Sequence, residues 1–268
     1  MKAIFLDLDG TLLNKDKQVT SGNMSAIQSM LAAGHKVIIS TGRPTVSALK
    51  QAKVLGLDSP GCYVVSYNGG EIVDAGTGES VFRQTIPKDW VIDLFAEAER
   101  RGIHIQTYTN DGVVVEPRCD DADIRRYTSS TLTPFSVIES IELLENEPVK
   151  VLALDMAGRD ATEPFRQWIL EKYAGRLDSF FSNPFYLEVV CAGLNKGSAL
   201  IRLCELLGIS IENTIAAGDA ANDIPMIEAA GVGVAMINGA PDVLASADYI
   251  TQNDNNNDAI AEIISKFV

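Results

Sequence analysis

The stretch that decides the fold is residues 1–13, MKAIFLDLDGTLL. Ala3, Ile4, Phe5 and Leu6 form an unbroken apolar run, the pattern of a strand covered on both faces inside a parallel sheet. Asp7 and Asp9 then follow two residues apart, where the run gives way to Gly10. Taken alone, this reads as a strand ending in a polar turn at Asp9-Gly10. A carboxylate at the mouth of a buried strand is costly unless something neutralises it, so the pair asks for a partner elsewhere in the chain.

Working outward, the first third alternates apolar runs with helical periodicity. A strand over 3–8 leads to a helix from Ser21 to Ala33, with Met24, Ile27 and Leu31 on one face, and then to the strand HKVIIS. A helix from Thr45 to Leu55 and the strand CYVVS complete a βαβαβ series. The last third repeats it: a helix from Lys196 to Leu207, the strand TIAAG, a helix near Asp223 to Ala230, the strand VGVAM, a short helix after Pro241, YIT, and a final helix from Asp258 to Phe267. The reading is an α/β fold, a doubly wound parallel sheet with helices on both faces.

The middle differs. After a hairpin (EIVDAG, then GESVFRQ) come an amphipathic helix carrying Trp90, Val91, Leu94, Phe95 and Ala98, and the strands HIQTYT and VVVEP joined through Asp111-Gly112. The strand VKVLALDM, a helix carrying Phe165, Trp168 and Ile169, and the pair DSFFSN and FYLEVV follow. Hairpins mixed with helices predict an inserted α+β domain over 85–188, with the core made of 1–84 and 189–268. Two connections join such an insertion to its core and could act as a hinge. The asparagine-rich tract near Asp254 reads as a loop.

The 268 residues suffice for a sizeable core, and 36 acidic against 22 basic residues leave no basic cluster for nucleic acid or an anionic membrane. Cys62, Cys119, Cys191 and Cys204 are far apart without metal-ligand spacing, so they are expected to be reduced core residues. No signal peptide or spanning segment is read, and the expectation is a cytoplasmic enzyme.

In an open parallel sheet, ligands bind beyond the carboxyl ends of the strands. Those positions here are Asp7 to Thr11, Ser40-Thr41-Gly42-Arg43, Tyr67-Asn68-Gly69-Gly70 and Gly218 to Asp223, joined by Lys196 at a helix start. Each has an ordinary structural explanation, as a turn, a solvated lysine or an N-cap; their convergence on one sheet edge suggests a site. Carboxylates gathered in a crevice repel each other, and a hard divalent cation relieves them, with Mg²⁺ the natural candidate on Asp7, Asp219 and the Asp9 carbonyl. A lysine, a hydroxyl and glycine-flanked amides suit a phosphoryl group. Asp7 can then attack phosphorus to give an aspartyl-phosphate, while Asp9 protonates the leaving alkoxide and later takes a proton from water.

These residues carry a resemblance. D-x-D-G-T at Asp7 to Thr11, T-G-R at Thr41 to Arg43, Asn195-Lys196-Gly197 and G-D-x-x-N-D at Gly218 to Asp223 resemble the haloacid dehalogenase superfamily. Tyr67-Asn68-Gly69, the run from Gly231 to Met236 and the large insertion make the chain look most like its Cof-type sugar phosphatases. The resemblance spans essentially the whole chain. It implies a Rossmann-like core with a cap of the C2B type, Asp7 as nucleophile and metal ligand, and Asp9 as acid/base with its carbonyl on the metal. Thr41 and Lys196 would hold phosphate, Asp219 would bind metal, and Asn222 and Asp223 would hold phosphate, the metal's water or the lysine. Gly42 would join the phosphate- and substrate-binding residues, and Arg43 and Asn68 would stand at the substrate mouth or serve to order the loops. Ala220 departs from the family, where a polar residue or glycine is common after the aspartate.

The implied function is Mg²⁺-dependent hydrolysis of a small phosphorylated metabolite. A phosphomutase would use the same aspartyl-phosphate but return the phosphoryl group to a sugar, and the sequence shows no feature that requires this. A dehalogenase would need neither metal nor Asp9. A phospho-aspartate receiver would be one small domain without the insertion, and a silent binding protein would not fill every catalytic position. Tyr108, Tyr127, Phe135 and Trp168 are pocket candidates that also read as core or surface residues. Substrate identity and oligomeric state stay open at this point.

Overall fold

The structure, a computed structural model, describes residues 1–131 and 133–268. In chain order the elements begin with β1 (Ala3–Leu6), α1 (Ser21–Ala32), β2 (Lys36–Ser40), α2 (Thr45–Val54), β3 (Cys62–Ser66), β4 (Glu71–Asp74) and β5 (Ser80–Arg83). They continue with α3 (Lys88–Arg101), β6 (His104–Thr109), β7 (Gly112–Val115), α4 (Ala122–Thr131), β8 (Phe135–Val137), β9 (Val151–Leu154), α5 (Thr162–Lys172), β10 (Leu177–Asn183) and β11 (Tyr186–Cys191). The last are α6 (Lys196–Leu207), β12 (Thr214–Gly218), α7 (Ile224–Ala229), β13 (Val232–Ala235), α8 (Pro241–Ser246), β14 (Tyr249–Ile250) and α9 (Ala259–Phe267).

Two compact units result, one made of 1–82 and 195–268, the other of 83–194. The first holds an eight-stranded sheet in the order β14-β13-β12-β1-β2-β3-β4-β5. β1 pairs in parallel with β12 on one side and β2 on the other, so the chain reverses its direction of winding at β1. That switch point is where such a sheet opens a crevice. β1 is buried at every position because both faces are covered. Ile4 and Leu6 pack with Ile27, Ala48 and Ile260 from α1, α2 and α9, whereas Ala3 and Phe5 pack with Leu200, Leu203 and Met226 from α6 and α7. The pleat sends alternate residues to opposite layers, which is why the strand reads as one unbroken apolar run.

The second unit carries a six-stranded sheet, β10-β11-β9-β6-β7-β8, antiparallel except for the β7–β8 pair. Its helix α4 does not figure in the sequence reading, although Ile124, Tyr127 and Thr128 recur at helical spacing and are buried. The segment is short and strongly polar, so its apolar face is thin. Among the described residues no helix is long and apolar enough to cross a membrane, and the four cysteines are buried and free.

Candidate active site

The first unit gathers its polar residues at the carboxyl ends of β1, β2, β3 and β12, as the sequence places them. Asp7 ends β1, its amide hydrogen-bonded to the Ala217 carbonyl of β12 at 3.0 Å. Lys196 opens α6, whose N-cap Asn195 forms a capping box with Ser198. The lysine side chain is fully buried, its Nζ 2.6 Å from Asp7 Oδ1 and 2.5 Å from Asp223 Oδ1. The other oxygen of Asp223 accepts the backbone N–H groups of Asp219 and Ala220, both at 3.0 Å. Asp223 therefore ties the lysine to the turn that presents Asp219. Ala220 contributes its backbone to this arrangement, so its departure from the family pattern leaves the turn intact.

Asp7, Asp219 and Asp223 each offer an oxygen lying within 4.8 Å of the others. Thr11 Oγ donates to Asp219 Oδ1 at 2.8 Å. Burial, with the Asp223 and Asp219 charges beside it, lifts the Asp7 carboxyl to about 8 despite Lys196. Burial also lifts Asp219 to about 6, Asp223 and Asp9 adding to it. Lys196, which burial alone would push down, is held above its usual range by Asp223 and Asp7. Three carboxylates thus meet one ammonium, and the surplus negative charge with hard oxygen donors fits a divalent cation such as Mg²⁺.

Gly10 explains the tight turn after Asp9. Its φ is +89°, and a Cβ there would stand 2.4 Å from Asp219 Oδ2. Only glycine permits both the backbone shape and the approach. Asp9 itself points outward, its side chain 43% exposed, and is gripped by Arg43 through Nε at 3.0 Å and a terminal nitrogen at 2.8 Å, and by Lys17 at 2.7 Å. Burial would raise its carboxyl, but these two cations outweigh that and hold it below the usual range. Arg43 was expected at the substrate mouth; here it touches Asp9.

A second polar group lies beside the first. Thr41 is buried, and its hydroxyl accepts the Arg43 N–H at 3.2 Å. A Cβ on Gly42 would come 3.1 Å from the Asn68 side chain, so the glycine admits that amide. Asn68 adopts a left-handed backbone, donates its N–H to the Thr41 carbonyl and accepts Asn222 Nδ2 at 3.0 Å. Its own Nδ2 is buried without a hydrogen-bond partner. Lys17 and the Thr11 contact escaped sequence reasoning. The threonine is signalled by its place in D-x-D-G-T, whereas nothing local marks Lys17.

A family model described as haloacid dehalogenase-like hydrolase matches residues 4–264. A 5-amino-6-(5-phospho-D-ribitylamino)uracil phosphatase of Bacillus subtilis is 31% identical over 270 residues, covering 100% of this chain and 96% of the relative. A pyridoxal phosphate phosphatase of Escherichia coli is 29% identical, covering 98% and 97%. The crystal structure of a haloacid dehalogenase-like hydrolase from Bacteroides thetaiotaomicron superimposes with a TM-score of 0.91 at 30% identity, covering 100% and 99%. The chain belongs to the haloacid dehalogenase-like hydrolases, in the Cof-type branch its motifs resemble. It is accordingly an enzyme, and phosphatase is the activity by which both named relatives are known.

Proposed function

We propose that this hydrolase is a Mg²⁺-dependent phosphatase of small phosphorylated metabolites, sugar phosphates foremost, working through an aspartyl-phosphate on Asp7. The observation that carries the reading is Lys196, fully buried between Asp7 and Asp223 with Asp219 alongside. An ammonium held there meets a phosphate dianion and fixes the attacking carboxylate together.

Lys196 engages Oδ1 of Asp7, leaving Oδ2 to attack phosphorus. The new P–O bond forms as the ester P–O bond breaks, and the leaving oxygen takes a proton from Asp9. Because Arg43 and Lys17 hold that carboxyl ionised in the arrangement described, these contacts must loosen for Asp9 to take up the proton it donates. Water then attacks the same phosphorus, gives its proton to Asp9, and breaks the bond to Asp7, releasing inorganic phosphate. Asp7, Asp219 and the Asp9 carbonyl would hold Mg²⁺, with Asp223 adjoining. An ion bound there would supply charge neutralisation at the phosphate oxygens and would counter the burial and neighbouring carboxylates that raise Asp7. Thr41, Gly42 and Asn222 are the further phosphate or substrate contacts, while Arg43 and Asn68 stand at the mouth.

The unit from Arg83 to Leu194, inserted between Thr41 and Lys196, is in this reading a C2B cap, and its lining selects the substrate. The two named relatives act on chemically different phosphate esters, which supports generic chemistry with selection placed elsewhere. The test is phosphate release from a panel of phosphorylated metabolites with Mg²⁺ or EDTA, comparing the native chain with Asp7→Asn. Release requiring both Mg²⁺ and Asp7 supports the proposal. Release persisting in Asp7→Asn overturns it.

A further inference from the structure

The asparagine-rich tract near Asp254 has no part in the chemistry above, yet in the structure it grips the loop that follows Asp9. Asn255 Nδ2 donates to the Leu13 carbonyl at 2.7 Å, and Asn256 Oδ1 accepts the Lys15 N–H at 3.0 Å. The backbone N–H of Asn255 donates to Asn238 Oδ1 at 3.3 Å, and Asn238 Nδ2 donates onward to the Gly10 carbonyl at 2.8 Å. The three that reach the loop join residues more than 200 positions apart in sequence. We infer that Asn238 and Asn255 are positioning residues that hold the loop carrying Asp9, and so set where its carboxyl stands. This rests on the role proposed for Asp9.

Packing cannot fix Asp9, whose side chain is 43% exposed, so its place depends on the backbone beneath and on polar neighbours. The backbone is held from both sides. On the inner side the Leu12 and Leu13 amides donate to the Asp7 and Leu8 carbonyls at 3.1 and 2.8 Å. On the outer side the carbonyls of Gly10 and Leu13 take the two asparagine amides. An amide suits the task because it donates and accepts at once: the Asn238 side chain takes the Asn255 backbone N–H and passes its own N–H to Gly10, while the Asn255 side chain reaches Leu13 separately. Asparagine also has fewer rotors to freeze than glutamine.

The tract is itself braced. Asp254 Oδ1 accepts the Asn256 N–H at 2.9 Å and Asn257 Nδ2 at 2.8 Å, and these contacts hold its carboxyl below the usual range. Glu262 on α9 accepts the N–H groups of Gln252 and Asn253 at 2.8 and 3.0 Å. Asp258 accepts from the Thr20 hydroxyl at the far end of the loop. Between these anchors a turn capped by Asn14 Oδ1, at 3.0 Å from the Asp16 amide and 2.9 Å from that of Gln18, sets Lys17 in a left-handed conformation. From there its ammonium reaches Asp9.

The experiment compares the full-length chain with Asn238→Ala, Asn255→Ala and the double variant. Amide hydrogen exchange over residues 10–18, melting temperature, and kcat and KM on p-nitrophenyl phosphate are measured on each. Exchange over 10–18 should quicken while the strands stay protected. A displaced reacting group should lower kcat about tenfold and move KM by less than about twofold. Because the two side chains hold the loop through separate carbonyls, Asn255 at Leu13 and Asn238 at Gly10, the double variant should be clearly worse than either single variant. A lowered melting temperature with kcat unchanged overturns the positioning role, and so does unchanged exchange. If the native chain hydrolyses no phosphate ester, the phosphatase reading fails separately, and the exchange data alone decide whether the amides hold the loop.

Discussion

Among the described residues two lysines are almost wholly buried, one in each unit, and they differ in the company they keep. Lys150 lies in the second unit with its ammonium 2.8 Å from Glu188 Oε2 and 5.0 Å from the centre of the Tyr108 ring. Tyr108 in turn meets Tyr127 at 2.7 Å between hydroxyls. Lys196, in the first unit, faces Asp7 and Asp223 with Asp219 in the same cluster. Among the described contacts, one carboxylate balances the charge of Lys150, and the aromatic residues around the pair belong to a structural polar core. One cation among three carboxylates is open, and its excess charge calls for a ligand. Charge balance, more than burial, separates a site from a brace.

The largest test of that contrast is Lys196→Met. It should lower kcat by roughly 10²–10³, the loss seen when a preorganised charge on the transition state is removed. In metal-free protein it should also cost about 3–5 kcal/mol, because buried carboxylates lose their counter-ion. Denaturant melts with and without Mg²⁺ measure the second effect. Adding Asp223→Asn should restore stability without restoring activity.

In the second unit, Lys150→Met alone should cost about 3–5 kcal/mol, and pairing it with Glu188→Leu should recover most of that loss. Activity of the folded protein should hardly change. Loss of kcat in a stable double variant would sink the structural reading of this pair.

The open cluster should also respond to pH. Between the ordinary 3.8 and about 8, the folded chain keeps a proton on Asp7 that the unfolded chain has released. The folded state then binds more protons, so metal-free stability falls as pH rises through that window, with Asp219 contributing up to about 6. Mg²⁺ binding at pH 7 should release close to one proton, about the occupancy such a shift implies. Calorimetry in buffers of different ionisation enthalpy counts it. Zero release would break the link between burial and metal binding.

The smallest effect is expected at the exposed pair. Arg43→Lys removes the forked contact to Asp9 and should cost less than about 1 kcal/mol, as partly exposed ion pairs do. Its effect on KM, read across substrates, shows whether the guanidinium also meets the substrate.

Much of the first unit is legible in the sequence because its strands are covered on both faces and so appear as unbroken apolar runs between helical periods. The residues at the strand ends follow, since a parallel sheet carries them all to one edge. Helix α4 was illegible for want of a broad apolar stripe, and Lys150 hides inside a strand pattern where a charge would ordinarily point outward. Lys17, Asn238 and Asn255 look like surface residues, and their partners are set by loops packed together from distant parts of the chain.

What the sequence by itself determined is the winding of the core and the residues offered at its edge, because strand and helix periods and glycine turns are local properties. The tertiary structure alone decided that Lys196 would stand between carboxylates 189 and 27 positions away. It also decided that Asp9 would face outward under two cations and that the asparagine tract would clasp the loop behind it. Such contacts depend on how elements settle against one another in space, where burial strengthens each charge and a few ångströms decide which oxygen a side chain meets.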